Sequence, residues 1–301
     1  MPTIPSNLKL DVILDAALRE FSNAILPLRA FSTVFNDVML RGTNKVVVPY
    51  YKLETAASRD YNGSYVFDSG EQDSREVEVN KRKYQSLALT SAEIARQPYL
   101  NAEEIGIAKG RKLAEDVLAD ILSIVTATNF GAAVFTGAAS TFDTDDVADI
   151  RTALNTAKWP KVGRSLILDS AYDGALVKDD PLLHAEKSGS PEQLRTGTVR
   201  PFMGFEGYFD TNLIPANGEH LVGMAVYKSA ILTAFSPIEP AADVRANMID
   251  YRSVVDPASG IALEYRQWGD PNSDTSKRVI EVNYGYALGE AAAIKRIVSE
   301  A

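Results

Sequence analysis

The chain has 301 residues, 46% of them hydrophobic and 24% charged, which is the composition of an ordinary globular protein with a sizeable core. Its net charge of −9 and its scattered Lys and Arg residues argue against a nucleic-acid binder that works by neutralising phosphates. The lack of cysteine excludes disulfides, thiolate nucleophiles and cysteine metal sites. The first residues lack the basic start and apolar run of a signal peptide, and no stretch of sequence has the unbroken apolar length of a membrane span. We therefore expect the protein to be cytoplasmic where it is made.

An amphipathic helix is predicted in an N-terminal arm, from Ser6 or Asn7 to Pro27. Such an arm must dock on an apolar surface, and the pattern leaves open whether that surface belongs to its own chain or to a neighbouring subunit. Lys45 to Tyr51 predicts a short strand, which Pro49 places at the edge or end of a sheet. The apolar side of the helix carries Leu10, Ile13, Leu14, Ala17, Leu18, Phe21 and Ile25.

A long polar excursion follows from Glu54 to Ser74, with turn signals at Asn62-Gly63 and Ser69-Gly70. This length and polarity favour an extended loop that projects from the body as a β-hairpin. An irregular surface excursion of one domain is the alternative.

The loop returns through a strand predicted from Arg75 to Thr90. Val77 and Val79 alternate there with glutamates, and then Lys81 and Lys83 take over the apolar register, so the middle of the strand should be wet on both faces. We expect this strand to be buried only at its root. The polar middle of the segment from Tyr61 to Arg82 should contribute little to the core of its own chain, so the fold should tolerate removal of the segment.

One long helix is predicted from Asn101 to Ala127, about 40 Å at about 1.5 Å per residue. Asn101 can cap its first turn, and Glu104 stands three residues later as a capping box requires. Gly106 and Gly110 form a small-residue step that would let another backbone approach closely. The buried face is predicted to carry Ile105, Leu113, Val117, Leu118, Ile121, Leu122 and Val125.

The second half of the chain predicts an α+β unit that begins after a small-residue junction at Asn129 to Thr141. Its first helix, Asp143 to Ala157, should bury a stripe of Val147, Ile150 and Leu154. The further predicted elements are a buried strand at Ser165 to Asp169, a short helix at Ala171 to Val177, a polar turn region to Gly197, a strand from His220 to Phe235, strands between Tyr251 and Tyr286 around the turn Gly269 to Asn272, and a final helix at Ala287 to Val298.

The sequence predicts no catalytic, cofactor-binding or metal-ligating residue. His184 and His220 have no second ligand at metal-site spacing, and phosphate-loop, nucleophile-elbow and dinucleotide motifs are lacking. The remaining candidates favour structural interpretations: Asp143, Asp145 and Asp146 as helix-start acids, Asp179-Asp180-Pro181 and Asn62-Gly63-Ser64 as turns, and Trp159 and Trp268 as packing under turns.

The order of these elements resembles the major capsid proteins of tailed bacteriophages. The segments that carry the resemblance are the arm (Leu8 to Phe31), the extended loop (Glu54 to Leu89, with KRKYQSLALTSAE), the long helix as a spine, an axial domain with SLILDSAYDGAL and GYFDTNLIP, and a return through a peripheral domain (Tyr251 to Tyr286). The resemblance implies an α+β class and the Johnson fold. It divides the chain into residues 1–53 (arm and first strand), 54–90 (extended loop), 91–142 (peripheral domain with the spine helix), 143–240 (axial domain) and 241–301 (peripheral return and C-terminal helix).

This resemblance implies a structural protein without enzymatic activity, cofactor or membrane partner. Copies would assemble as pentamers and hexamers into an icosahedral shell around double-stranded DNA, in the host cytoplasm during assembly and in the virion afterwards. Few residues precede the arm, so a separate scaffolding protein is expected, together with a portal. The acidity of the chain suits an inner wall that holds DNA without gripping it.

Some members of that family join subunits through a Lys to Asn isopeptide bond. Lys81 or Lys83 with Asn272 are the candidates here, and unspecialised surface lysines are the favoured interpretation. Two other functions stay open: an encapsulin-type compartment shell that holds cargo protein, and a hydrolase with an acidic site, which would need carboxylates converging in a pocket.

Overall fold

A computed structural model describes residues 10–36, 45–50, 63, 73–96, 102–179, 202–255 and 260–300. Helices and sheets mix along the chain, as an α+β class requires. Across the described ranges, no helix is both long and apolar enough to cross a membrane. The helices are α1 (Leu10–Ala24), α2 (Leu28–Phe31), α3 (Ser91–Arg96), α4 (Ala102–Leu122), α5 (Ala127–Phe130), α6 (Thr144–Thr156), α7 (Ser170–Lys178) and α8 (Ala242–Ala246).

The described strands form a large sheet, a small sheet and a two-stranded ribbon. The strands are β1 (Ser32–Asn36), β2 (Lys45–Tyr50), β3 (Asp73–Glu78), β4 (Lys81–Thr90), β5 (Phe135–Thr136), β6 (Ser165–Leu168), β7 (Gly207–Asp210), β8 (Leu221–Val226), β9 (Ile231–Phe235), β10 (Asp250–Val255), β11 (Ala262–Asp270), β12 (Thr275–Leu288) and β13 (Ile294–Val298). The large sheet runs β1-β9-β12-β11-β10, with β4 also paired to β12; the small sheet runs β5-β13-β8-β6-β7; the ribbon is β2-β3.

The spine helix α4 has 21 residues, which is about 32 Å and shorter than the predicted length. It ends at Leu122 because side chains satisfy the carbonyls of its last turn. Ser123 Oγ donates to the Asp120 carbonyl at 2.6 Å, and Asn217 Nδ2 donates to the Leu122 and Val125 carbonyls at 3.3 and 2.7 Å. Thr126 then caps the separate short helix α5. The predicted start at Asn101 lies outside the described residues.

The arm helix α1 packs on the spine helix of its own chain, which answers the question that the sequence left open. A Cβ atom at Gly106 would lie 2.5 Å from the Ile13 carbonyl oxygen, and one at Gly110 would lie 2.7 Å from Ala17 Cα. The two glycines therefore let the backbones of α1 and α4 meet, as the small-residue step predicted. The predicted apolar faces supply the shared core, with Phe21, Leu113, Val117 and Ile121 all buried.

The small sheet is covered on both faces, and this explains why β6 is buried at every position. Ile167 belongs to the core that includes the spine helix, whereas Leu166 and Leu168 belong to a second core under α6 and α7. Helix α6 follows its prediction closely: Asp143 caps it, Asp146 completes a capping box, and Val147, Ile150 and Leu154 are buried. Helix α7 and strand β6 also lie where the sequence placed them.

The predicted strand from His220 to Phe235 is wrong as a single element. Strand β8 belongs to the small sheet and β9 to the large sheet. Between them Ser229 takes a φ of 75°, a left-handed conformation that turns the chain from one sheet to the other. The continuous apolar composition of this stretch hid a crossover between two sheets.

The predicted helix from Ala287 to Val298 is also wrong, and so is the C-terminal helix in the predicted domain layout. Strand β12 continues to Leu288, the alanines 291–293 form one 3₁₀ turn, and β13 pairs antiparallel with β8. Tertiary pairing of a β-branched run overrides the helix preference of the alanines. The charge of Arg296 is compensated in this buried strand, because Arg296 pairs with Glu219 and donates to the Gly131 carbonyl at 3.0 Å.

Candidate assembly site at the root of the extended loop

The extended loop is rooted in the ribbon β2-β3, whose antiparallel register pairs Lys45 with Glu78 and Tyr50 with Asp73. The predicted strand at Lys45 is thereby confirmed, and the two ends of the loop pair with each other at its base. Residues 51–62 and 64–72, including most of the predicted turn signals, lie outside the described residues. The projection of the loop from the body stays a prediction.

The root packs firmly on the large sheet. Val77 and Val79 are 0% and 4% exposed and lie against Leu232 and Ala234 of β9. Burial at the root is as expected, but removal of the whole segment from Tyr61 to Arg82 would take these core residues with it, which argues against the expected tolerance of that deletion. The predicted single strand from Arg75 to Thr90 is in fact two strands with different partners, β3 on β2 and β4 on β12.

Gly285 marks the place where the root crosses β12. A Cβ atom there would collide with the carbonyl group of Glu78 and would lie 3.0 Å from Val79 Cα. Any side chain at this position would push the loop root off the sheet, so the glycine is needed for the close approach. Arg75 adds a hydrogen bond from Nη1 to the Leu288 carbonyl at 2.9 Å.

Lys81 joins the loop root to the spine helix. Its Nζ donates to Asp120 Oδ2 at 2.9 Å and to the Tyr286 hydroxyl at 2.7 Å. Tyr284 donates to the same Asp120 oxygen at 2.8 Å. The expectation of an unspecialised surface lysine is thus wrong for Lys81, because a carboxylate of one element and a hydroxyl of another fix its position.

Opposing effects act on the pKa values of this cluster. Burial alone would lower the pKa of Lys81, but its hydrogen bonds to Tyr286 and Asp120 outweigh that effect, so the pKa is raised above its usual value. Burial also raises the pKa of Tyr284, and its hydrogen bond to the Asp120 carboxylate raises it further. Lys81 is therefore an ammonium group and Tyr284 a neutral donor at every pH at which the protein would be handled.

Lys83 and Asn272 stay apart within one chain. Lys83 is exposed and faces Val282 in the β4-β12 register, whereas Thr275 faces Thr90 at the far end of the same pair. Asn272 lies beyond Thr275, in the turn between β11 and β12. A bond between the two residues would have to join different subunits, which stays a prediction.

Sequence reasoning missed a pair of buried carboxylates in the large sheet. Glu264 and Glu281 face each other across β11 and β12 and are 0% and 5% exposed. Glu264 accepts hydrogen bonds from the Ile238 N–H at 2.5 Å, Asn283 Nδ2 at 2.7 Å and Arg266 Nη2 at 3.0 Å. The signal was present in the sequence, because each glutamate stands between two apolar residues of a predicted strand.

A groove of about 730 Å³ lies on this face of the large sheet. Its apolar walls come from Tyr84, Val244, Met248, Trp268 and Val279, and its polar side chains are Arg82, Ser86, Asn247, Arg266 and Glu281. Glu264 does not line it, so the two carboxylates do not converge on the groove as an acid and base pair would. Over the described ranges, no group of three or more His, Asp or Glu residues could hold a metal ion.

The other sequence candidates have structural surroundings. Asp143 and Asp146 cap α6, and Asp179 accepts the Thr144 N–H at 2.9 Å. Trp159 is buried against Tyr227, and Trp268 lines the groove, so for Trp268 packing under the turn stays a prediction. His220 is exposed at the start of β8. His184, Asp180-Pro181 and Asn62 lie outside the described residues.

The fold is that of the shell-forming capsid proteins of tailed phages, the Johnson fold, with arm, loop root, spine helix and two sheets in the expected order. The capsid structure of the cyanophage P-SCSP1u is similar with a TM-score of 0.60 and 12% identity, covering 88% of this chain and 86% of that one. A structure from Mycobacterium phage Che8 has a TM-score of 0.56 and 17% identity, covering 84% of each chain. A virus-like particle from Pyrococcus furiosus has a TM-score of 0.53 and 14% identity, covering 95% and 97%. No family model and no curated protein matches the sequence.

Proposed function

We propose that this chain is a major capsid protein whose copies assemble as pentamers and hexamers into an icosahedral shell around double-stranded DNA. The observation that carries the proposal is the fold, which is similar to phage capsid structures over most of both chains. In the same proposal, a separate scaffolding protein and a portal act during assembly in the host cytoplasm, and the finished shell belongs to the virion. The role is structural rather than catalytic.

The loop root supports this proposal physically. A ribbon whose base is fixed by Val77, Val79 and Lys81 can hold an extended loop at a defined angle to its own sheet. Interactions between subunits need such a fixed base, because each freely moving residue of a contact would lose conformational entropy on binding. The net charge of −9 suits a wall that encloses DNA without binding it tightly.

A compartment shell of the encapsulin type is the second candidate, favoured by the likeness to the virus-like particle from Pyrococcus furiosus. It would use the same chain geometry to enclose cargo protein in place of DNA. The acidic hydrolase has less support, because Glu264 is completely buried and its oxygens already accept four hydrogen bonds.

The experiment is sedimentation and electron microscopy of the purified chain, expressed alone and with its neighbouring genes. We expect pentamers, hexamers or closed shells, and nuclease-protected DNA in particles made during infection. A strictly monomeric chain at high concentration under both conditions would contradict shell assembly. Shells that enclose protein but never DNA would favour the compartment.

A further inference from the structure

We call the segment from Ile238 to Ile249 the strap. It lies between β9 and β10 in sequence, includes α8 and crosses the edge of the groove. In this described segment no residue is buried. Hydrogen bonds to the large sheet therefore hold the strap in place of an apolar core. At one end the Ile238 N–H donates to Glu264 Oε1 at 2.5 Å and Arg266 Nη2 donates to the Ile238 carbonyl at 3.2 Å; at the other end the Ile249 N–H donates to the Gln267 carbonyl at 2.8 Å.

The first of these anchors depends on two carboxylates that lie directly opposite each other. Glu264 and Glu281 are register partners on adjacent antiparallel strands, and both are buried. Like charges at such positions repel, and burial removes the water that would screen them. Ionising both carboxylates at the same time would therefore cost free energy, unless the surrounding cations compensated both negative charges.

The donors around the pair are divided unequally between the two carboxylates. Arg266 Nη2 carries two hydrogens but lies within reach of three acceptors: Glu264 Oε2 at 3.0 Å, Glu281 Oε1 at 2.6 Å and the Ile238 carbonyl at 3.2 Å. Glu264 has three further donors, the Ile238 N–H, Asn283 Nδ2 and the Tyr251 hydroxyl, whereas Glu281 Oε1 has a close charge contact but no hydrogen bond of good geometry. Glu281 is therefore the member of the pair that takes up a proton most readily.

We propose that Glu264 and Glu281 form a proton-controlled latch for the strap, in which one proton held by the pair keeps Ile238 anchored and its loss as pH rises releases the strap from the groove. When the proton on Glu281 leaves to solvent, the new carboxylate competes for Arg266 and repels Glu264. The Ile238 carbonyl then loses the hydrogen bond from Arg266. Repulsion from Glu281 also destabilises the Glu264 carboxylate, which accepts the hydrogen bond from the Ile238 N–H. This latch lies within one chain, so it does not depend on shell assembly.

The direction of the pH dependence follows from the pKa of Glu281. Burial raises this pKa above the usual value of 4.5, Arg266 and Arg82 lower it, and Glu264 raises it again, with a net increase. An acid whose pKa is raised in the folded state favours that state when protonated. The closed strap is therefore most stable at low pH, and its stability is lost as pH rises from the usual value through the folded value.

Charged and titratable groups surround Glu281 from every neighbouring element. Glu264 and Arg266 on β11, Arg82 and Tyr84 on β4, and Tyr251 on β10 face Glu281, whereas Glu239 and Arg245 on the strap lie near Tyr251. Burial raises the pKa of Tyr251 to about 12, so this tyrosine stays neutral in the range of interest. The pKa of Glu281 is raised in these surroundings.

Amide hydrogen exchange of the full chain tests the latch, with the Ile238 and Ile249 amides as reporters and rates corrected for the intrinsic effect of pH. We expect exchange in the strap to become about tenfold faster between pH 5 and pH 8, while the core strand β12 stays protected. Glu281→Gln, which cannot ionise, should keep the strap slow at both pH values. Glu239→Gln is the control: it neutralises an exposed side chain within the strap and should behave as the parent does.

A second variant keeps the test decisive if Glu281→Gln folds poorly. Arg82→Met removes an exposed cation that lowers the pKa of Glu281, so the midpoint of strap opening should move to higher pH. A parent whose corrected strap exchange does not change with pH overturns the latch. An unchanged midpoint in Arg82→Met, or a Glu281→Gln strap that opens as the parent does, overturns it equally.

Discussion

Lys81 Nζ lies 2.9 Å from Asp120 Oδ2, so the base of the extended loop is bound to the C-terminal half of the spine helix in the same chain. The two side chains are 39% and 25% exposed, which places the pair between a surface ion pair and a buried one. Tyr284 and Tyr286 complete the cluster from β12. The position of the loop root is thus set jointly by a helix and a sheet, and changes at Lys81 should affect both stability and, in the proposed shell, assembly.

Lys81→Met should lower the free energy of unfolding by about 1 kcal/mol, because it removes a partly exposed charge-assisted hydrogen bond but leaves Asp120 with its tyrosine donor. Urea denaturation measures the loss. Lys83→Met is the matched control, since Lys83 is exposed on the same face of the same strand. Equal stabilities of the two variants would show that the Lys81 contact contributes nothing in solution. A double-mutant cycle with Asp120→Asn would isolate the pair itself.

Gly110→Ala should destabilise the chain by about 2 kcal/mol, although alanine is the better helix former, because its Cβ would lie 2.7 Å from Ala17 Cα. Thermal unfolding and the protection of α1 amides provide the measurement. Gly174→Ala is a sensitive control, since this helical glycine has nothing within 4 Å of the added atom. It should gain up to about 1 kcal/mol from helix propensity alone. A stabilised Gly110→Ala would mean that α1 does not pack there in solution.

Local patterns were sufficient where one buried face and one cap define an element. The stripe of Val147, Ile150 and Leu154 and the cap at Asp143 predicted α6 to within a residue at each end. The step of Gly106 and Gly110 predicted a close helix contact without indicating which helix would supply it. Periodicity shows which face is buried, but the partner of that face is a property of the whole fold.

Patterns failed where the deciding contact is distant in sequence. The run IKRIV at 294–298 follows alanines that favour a helix, yet pairing with β8 makes it a strand, and Glu219 supplies the counter-charge for Arg296. Lys81 reads as a surface lysine until Asp120 and Tyr286 meet it in space. Glu264 and Glu281 are separated by a hairpin, and only the register of β11 and β12 makes them a pair. In each case the missing information was a contact between elements that are distant in sequence.

Val117→Asp should abolish soluble protein rather than assembly alone. Val117 lies on the spine helix and is fully buried against the elements around it. The substitution therefore places an unpaired charge in the core at a cost of several kcal/mol, against a total stability of roughly 5–15 kcal/mol. Circular dichroism and the melting temperature check the result. Ala108→Asp adds the same charge at an exposed position of the same helix and should be tolerated. Unchanged melting of Val117→Asp would mean that the buried face of α4 is wrongly assigned.

Two deletions separate the function of the loop from that of its root. Replacing residues 51–72 by a short Gly/Ser turn keeps the ribbon, because Tyr50 and Asp73 are register partners that a turn can join. This variant should be soluble with near-native circular dichroism and should no longer form shells, since the part of the loop that would reach a neighbour is gone.

Removing Tyr61 to Arg82 instead takes away β3 with the buried Val77 and Val79, and the chain should then unfold or aggregate. Electron microscopy and light scattering beside the parent decide between the outcomes. Normal shells from the shorter deletion would mean that the loop has no part in assembly, and a soluble, folded protein from the longer one would show that the root is dispensable for the core.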